Sequence, residues 1–437
     1  MKVTLSRTSF CQGRIHVPGD KSISHRSLLL GAIAQGKTRI EGLLYSEDVL
    51  STWHCLQKLG VSIQRDGQSI LITGKNQSGF YQPQGALDCG NSGTTARLLM
   101  GALAGYPLSC QFIGDASLSQ RPMKRVATPL REMGAKIQLT HEDKLPLLLE
   151  GSSSLHGINY SLPIASAQLK SAVLLAGLKA QGKTVISGET SSRDHTERML
   201  QYFGVKLRFS SVPGQTHPII SIDGGQTLHG RDILVPGDIS SAAFWIALAL
   251  LTPKSELHIE NVLLNPSRLG IIHVLQRMGA KIKAQLTSLD PEPMGTLSVS
   301  HSHLVGTEIL PHEVPSLIDE IPILSLVACH AHGLTSLRGA QELRFKETDR
   351  IEAIAHNLRA MGARIDTCRD GFDIEGTQQL KGAQLRSFGD HRIAMTFSIA
   401  AVLSEGESTV HDTECVSISY PHFFETLNAL TKSPTSG

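Results

Sequence analysis

Nine short stretches of this 437-residue chain gather the residue types that bind anions and move protons. Six open long apolar runs: DKSISHR at residues 20–26, GNSGTTAR at 90–97, SAQLK at 166–170, GDISS at 237–241, LIDEIP with Asp319 and Glu320, and GDHR at 389–392. Three lie apart from those runs. SQRPMKR holds Arg121, Lys124 and Arg125; SSRDHTER holds Arg193, Asp194, His195 and Arg198; RFKETDR holds Arg344, Lys346, Glu347, Asp349 and Arg350. A polar cluster ahead of an apolar run reads as a helix start, which offers unpaired N–H groups and a partial positive charge. With Lys21 and Arg26 beside it, the natural guest of the first start is phosphate. In GNSGTTAR, Gly90 and Gly93 permit close backbone approach, and Asn91, Ser92, Thr94 and Thr95 donate hydrogen bonds. The stretch lacks the Gly-Lys-Ser/Thr ending of a nucleotide P-loop. Arginine forks suit carboxylate and phosphate, and the Lys346–Glu347 pair can shuttle protons. The acidic pair of LIDEIP in an apolar setting suits a general base. Each stretch also has a plain structural reading: a capped core helix, an N-cap turn or aspartate, or a solvated charged face.

The elements that must hold these residues repeat. VPGD at 17–20 returns as VPGD at 235–238, displaced by 218 residues, half the chain, with a polar start and an apolar helix after each copy. Six apolar helical patterns each run into a turn and a short strand: AQGKTRIEG, AGYPLSCQFIG, AQGKTVISG, TPKSELHIE, AHGLTSLRG and SEGESTVHD, at intervals of 70, 76, 72, 79 and 73 residues. Between them run LQKLGVSI, LREMGAKI, LQYFGVKL, LQRMGAKI and LRAMGARI, each a helix closed by a glycine (Gly60, Gly134, Gly204, Gly279 and Gly362) and followed by a strand. The sixth such helix is PHFFETLNAL, and the N-terminal strand MKVTLSRTSF can supply the strand it lacks. The expected architecture is α/β, six units in two lobes of three. Residues 1–16 with 235–437 form one lobe and 17–234 the other, with hinges near 13–17 and 233–238. Two lobes on two hinges predict closure over a ligand drawn to six converging helix starts.

Composition narrows the function. The 41% hydrophobic and 18% charged content is that of a globular chain, and a net charge of +2 argues against general nucleic-acid binding. Seven scattered cysteines with no C-x-x-C signal neither a disulfide framework nor a zinc site. The pairs His301/His303 and His330/His332 lack carboxylate or cysteine at ligand spacing, so no metal is expected. No apolar run reaches 18 residues, and neither a signal nor a transit peptide is recognisable before the first motif, so a bacterial cytoplasmic protein is expected.

Taken together and in this order, PGDKSISHR, GNSGTTARLLMG, SQRPM, SAQLKSA, SRDHTERM, RFKETDRI and GDHRIAM resemble the 5-enolpyruvylshikimate-3-phosphate (EPSP) synthase family. The resemblance spans Pro18 to Met395 and implies the inverse α/β barrel fold of enolpyruvyl transferases, with two pseudo-threefold lobes of βαβαββ-like units. It implies transfer of the enolpyruvyl group of phosphoenolpyruvate to the 5-hydroxyl of shikimate 3-phosphate, with release of phosphate, in the shikimate pathway of aromatic amino acid biosynthesis. By the same resemblance Lys21, Ser22, Arg26, Ser166, Gln168, Arg193 and Lys346 hold shikimate 3-phosphate. Lys21, Gly93, Arg121, Gln168, Arg350 and Arg392 hold phosphoenolpyruvate. Asp319 is the base on the 5-hydroxyl, Glu347 the acid that protonates the methylene carbon, and His391 tunes that site. The seven cations and two carboxylates among these leave +5, set against about −5 to −6 on the two substrates. No cofactor and no metal is implied, the partners are the two small substrates, and a monomer is expected, with no nucleic acid or membrane. Glyphosate, longer than phosphoenolpyruvate, competes in the donor pocket of sensitive members, and a methyl on Gly93 is expected to project into that pocket.

Two positions depart from one branch of the family. Ala167 stands where that branch has a second serine, and Ile418-Ser419-Tyr420-Pro421 stands where it has a lysine. The alternative within the fold is UDP-N-acetylglucosamine enolpyruvyl transferase, which carries a reactive cysteine five residues before the R-P arginine; here that residue is Ala116. A non-catalytic phosphometabolite-binding protein is the alternative from another class.

Overall fold

The computed structural model describes residues 1–75, 79–140, 142–211 and 217–432. Its contacts divide the chain into two units. One comprises Met1–Pro18, Pro236–Leu289 and Pro293–Gly437; the other comprises Gly19–Val235 with the short segment Asp290–Glu292.

Each unit is built on three long helices: α1 (Lys21–Ile33), α2 (Gly93–Leu103) and α3 (Ala167–Gly177) in one, α4 (Ile239–Leu251), α5 (Ile321–His330) and α6 (His391–Leu403) in the other. These helices are apolar around most of their circumference, and such helices belong in a core. α4 is buried at every position except Leu251. In the unit that contains α4, Trp245 stacks on Phe423 at 4.9 Å between ring centroids, so the last helix of the chain, Phe423–Thr431, packs into the same core.

The sheets repeat one pattern: a strand parallel to the strand after a core helix, then two antiparallel strands. In the α1–α3 unit the central strands are Lys37–Glu41, Ser109–Ile113 and Lys183–Gly188, and their parallel partners are Asp232–Leu234, Leu87–Asp88 and Asn159–Leu162. In the α4–α6 unit they are Glu256–Leu263, Leu334–Leu337 and Glu407–His411, partnered by Gln12–His16, Glu308–Ile309 and Gln384–Arg386. The sixth sheet has three strands and, among the described residues, lacks a hairpin of its own. Lys2–Ser6 takes the place, antiparallel to Glu407–His411 with Lys2 opposite His411 and Ser6 opposite Glu407. Each unit needs a leading parallel strand for its first sheet, and the segment before each VPGD supplies it. Pro18 and Pro236 stop these strands, since proline cannot donate to a ladder.

Five further helices follow the central strands along the chain: Glu47–Lys58, Lys124–Glu132, His195–Tyr202, Gly270–Arg277 and Arg350–Ala360. All five end on the glycines read from the sequence, with φ from +83° at Gly60 to +107° at Gly134. The closing bonds are alike. At the first, Gly60 N–H donates to the Gln57 carbonyl at 2.9 Å and Val61 N–H to the Leu56 carbonyl at 3.0 Å. This doubly bonded stop satisfies the last carbonyls and requires a residue at ease with positive φ.

Candidate active site

In the α1–α3 unit the three helix starts are tied to one another by polar bonds. Asp20 caps α1, its Oδ1 accepting from Ile23 N–H at 2.8 Å, while Ser92 caps α2 and Ser166 caps α3. One turn apart on α1, Lys21 and His25 meet Asp48 and Thr52, one turn apart on Glu47–Lys58. Lys21 Nζ lies 3.0 Å from Asp48 Oδ2 and His25 Nδ1 lies 2.7 Å from Thr52 Oγ1. Thr52 continues to Thr95 at 2.7 Å and Thr95 to the capping Ser92 at 2.8 Å, joining α1 to the start of α2. Burial, then the charges of Lys21 and Arg26, push the His25 pKa well below its usual value, so this imidazole is neutral. Ser22 is half-buried, and its carbonyl accepts from Arg26 Nη1 at 2.9 Å.

Arg26 is buried and also donates to Thr196 Oγ1 at 2.7 Å and to Ser171 Oγ at 2.9 Å. Burial pulls its pKa down to about 10, against the opposing pull of Glu197 and Asp20. Arg193 is half-buried and close enough to depress Arg26 further. Gln168 is gripped by α2: its Nε2 donates to Thr94 Oγ1 at 3.1 Å and its Oε1 accepts from Arg97 Nη1 at 2.7 Å. Arg121 donates to Asn91 Oδ1 at 2.9 Å and to Ser117 Oγ at 3.2 Å. The hydroxyls and amide of GNSGTTAR are thus engaged within the protein. A Cβ on Gly93, the first residue of α2, would lie 2.6 Å from Arg97 Nη1. A methyl there meets the far end of the Arg97 side chain, which also bonds to Gln168.

In the α4–α6 unit the organising residue is Arg350, buried at 1% side-chain exposure among three carboxylates. Its Nε donates to Asp390 Oδ2 at 2.7 Å and its Nη2 to Glu347 Oε2 at 2.7 Å, while Nη1 lies 3.4 Å from Asp319 Oδ1. Burial lowers the guanidinium pKa, but Asp390, Glu347 and Asp319 outweigh it and hold the group above its usual value. Lys346 Nζ reaches the same Asp319 Oδ1 at 3.4 Å, and Arg392 Nη1 donates to the Asp319 carbonyl at 3.2 Å. His391 is buried in the first turn of α6. The cap of α5 falls on Glu320 with no side-chain capping bond, so neither Asp319 nor Glu320 acts as an N-cap side chain. Asp319 stays 14% exposed, and Glu320 is buried, accepting from Ser240 Oγ.

Several residues of these clusters escaped the sequence reading. Asp48 and Thr52 sit in SEDVLSTWHC, where nothing but one-turn spacing hints at pairing with Lys21 and His25. Arg97, Thr196 and Asp390 fall inside quoted motifs but had no role; Asp390 both caps α6, accepting from Arg392 N–H at 2.8 Å, and holds Arg350. Lys170, read as part of a polar helix start, is buried and bonded to Glu197 at 2.7 Å and to the carbonyls of Thr190 and Ser192. Ile418, where one branch has a lysine, packs against the core. Among the described residues, no group of three or more His, Cys, Asp and Glu side chains could hold a metal ion, and no helix is long and apolar enough to cross a membrane.

Carboxylates around one buried arginine in one unit, and helix starts bearing lysine, arginine and glutamine in the other, define a protein equipped for small anions and proton transfer. Residues 6–427 match the profile of the family described as EPSP synthase (3-phosphoshikimate 1-carboxyvinyltransferase). The 3-phosphoshikimate 1-carboxyvinyltransferase of Bacillus cytotoxicus is 46% identical over 428 residues, covering 98% of this chain and 99% of that protein. That of Bacillus subtilis is 47% identical over 422 residues, covering 96% and 97%. A crystal structure of EPSP synthase from Acinetobacter baumannii superposes with a TM-score of 0.87 at 42% identity, over 98% of both chains. The chain belongs to the EPSP synthase family and has its inverse α/β barrel fold.

Proposed function

We infer that the protein transfers the enolpyruvyl group of phosphoenolpyruvate to the 5-hydroxyl of shikimate 3-phosphate and releases phosphate, as a step of the shikimate pathway. The observation that carries this reading is the cluster on Arg350, which sets a candidate base, Asp319, and a candidate acid, Glu347, on one guanidinium. Glu347 delivers a proton to the methylene carbon of phosphoenolpyruvate, and positive charge develops at the adjacent carbon. The 5-hydroxyl oxygen bonds to that carbon as Asp319 takes its proton. The tetrahedral adduct then loses phosphate, and Glu347 recovers a proton from the methyl group to form the enol ether. Neighbouring carboxylates stabilise the developing cation, and the fixed cations hold the phosphates and carboxylates of the substrates.

Lys21, Ser22, Arg26, Ser166, Gln168, Arg193 and Lys346 are assigned to shikimate 3-phosphate. Lys21, Gly93, Arg121, Gln168, Arg350 and Arg392 are assigned to phosphoenolpyruvate, with His391 tuning the acid. Arg26 serves through the hydroxyls of Thr196 and Ser171 as well as by its own charge. The protein is further proposed to work as a cytoplasmic monomer on these small substrates, without nucleic acid or membrane, and with its two lobes, 1–16 with 235–437 and 17–234, acting as domains. Phosphate release from phosphoenolpyruvate, measured with shikimate 3-phosphate and separately with UDP-N-acetylglucosamine, tests the reading. Turnover with the first acceptor alone is expected. Turnover with the second, or with neither, overturns it.

A further inference from the structure

An open groove of about 510 Å³ lies beside the helix His195–Tyr202, lined by Arg198, Gln201, Tyr202, Arg231, Asp290 and Pro291, so that two arginines face one carboxylate. None of these residues belongs to the sets assigned to the transfer reaction. The volume falls in the range of small-metabolite sites. Its two arginines are anchored alike. Arg198 Nε is held by Asp194 Oδ2 at 2.8 Å, and Arg231 Nε donates to the Tyr202 carbonyl at 3.1 Å. Each guanidinium is thus fixed through its inner nitrogen, and among the described residues the outer nitrogens of both carry no further bond.

The other walls are fixed as well. The Tyr202 hydroxyl is spent on the Asp232 carbonyl at 2.7 Å, which leaves its ring as a flat face. Asp290 and Pro291 run directly into Glu292, whose side chain is fully buried and lies 2.8 Å from His195 Nδ1. A pair of held, permanently charged, planar forks on one concavity is the arrangement that recognises carboxylate or phosphate oxygens. Because the forks are anchored before any ligand arrives, less side-chain freedom is lost on binding.

We propose that this groove is a second anion-binding site, for a small metabolite bearing two or more carboxylate or phosphate oxygens, held between Arg198 and Arg231. The site is independent of the transfer chemistry. Isothermal titration of the full-length protein, with the transfer site first saturated by shikimate 3-phosphate and an unreactive phosphoenolpyruvate analogue, with citrate and separately with inorganic phosphate, provides the test, comparing the wild type with Arg198→Gln, Arg231→Gln and the double variant. One equivalent of citrate or phosphate is expected to bind in a manner that each single change weakens about tenfold, as befits loss of one charge-assisted contact. The double variant is expected to lose it while its melting temperature and its turnover without added anion stay within twofold and a few degrees of wild type. Preference for citrate or for phosphate identifies which oxyanion the forks prefer. Absence of binding to both anions in the wild type, or unchanged affinity in the double variant, overturns the proposal.

Discussion

Arg350 shows how one buried cation can order a site made of acids. Removing any of its carboxylate partners leaves a fully buried guanidinium less well matched, so substitutions there carry structural as well as chemical cost. Glu347→Gln keeps the shape and one acceptor for Arg350 but removes the transferable proton. It is expected to lower kcat by about 10²–10⁴-fold, the range for a general acid–base group, while the melting temperature falls by only a few degrees because Arg350 keeps an acceptor. Near-normal turnover in the folded variant would remove Glu347 from the mechanism. An added methyl on Gly93 would press on Arg97, which grips Gln168, so its effect should travel through that arginine. Gly93→Ala is expected to raise the KM for phosphoenolpyruvate several-fold, and Arg97→Ala to do the same. The double variant should be little worse than either alone, because residues sharing one contact are not additive. Multiplying effects would show that the methyl acts elsewhere.

At the scale of elements, the joint between α1 and the helix Glu47–Lys58 rests on two rungs, Lys21–Asp48 and His25–Thr52. The second rung holds an imidazole whose burial favours the neutral form. A histidine whose folded pKa is depressed stays unprotonated in the native chain, while the unfolded chain takes up a proton below about pH 6.5. Stability from this group is therefore present above that pH and is lost on acidification through it. His25→Gln should narrow the drop in melting temperature between pH 7.5 and pH 5.5 relative to wild type; an equal drop in both proteins would show that His25 does not contribute. The helices themselves were legible because their signals are local: apolar runs, a capping Asp or Ser, and glycines where φ turns positive. The rungs between helices were not, since a hydrogen bond such as Thr52–Thr95 joins residues 43 apart that share no pattern.

At the scale of the molecule, the closing of the last sheet by the first strand makes the α4–α6 unit depend on both ends of the chain. Deleting residues 1–10 removes Lys2–Ser6 and bares the edge of Glu407–His411, with Val3 and Leu5 lost from their places beside it. A fall in melting temperature of about 5–10 °C is expected, equivalent to a few kcal/mol in a unit of this size. Limited proteolysis should then cut first within 236–432 and spare 19–235, whose three sheets are complete without the deleted strand. Unchanged melting and an unchanged order of cleavage would contradict this dependence.

The repeat, and with it the count and type of elements, is legible in the chain alone, because a helix start, a glycine stop and an alternating strand are each written in a few neighbouring residues. The ordered motifs likewise carried the family, since the residue types that meet phosphates and move protons lie in short contiguous runs. Only the tertiary structure decided partnership. Lys21 faces Asp48, Arg26 is buried against Thr196 and Ser171, Arg97 stands in the path of a Gly93 methyl, and Asp390 divides its carboxylate between a helix cap and Arg350. It also paired Gln12–His16 with Glu256–Leu263, and set Asp290–Glu292 apart from the residues on either side. The physical reason is range: capping and periodicity act within a turn or two of chain, whereas a buried charge is settled by whichever distant group folding brings within hydrogen-bond reach.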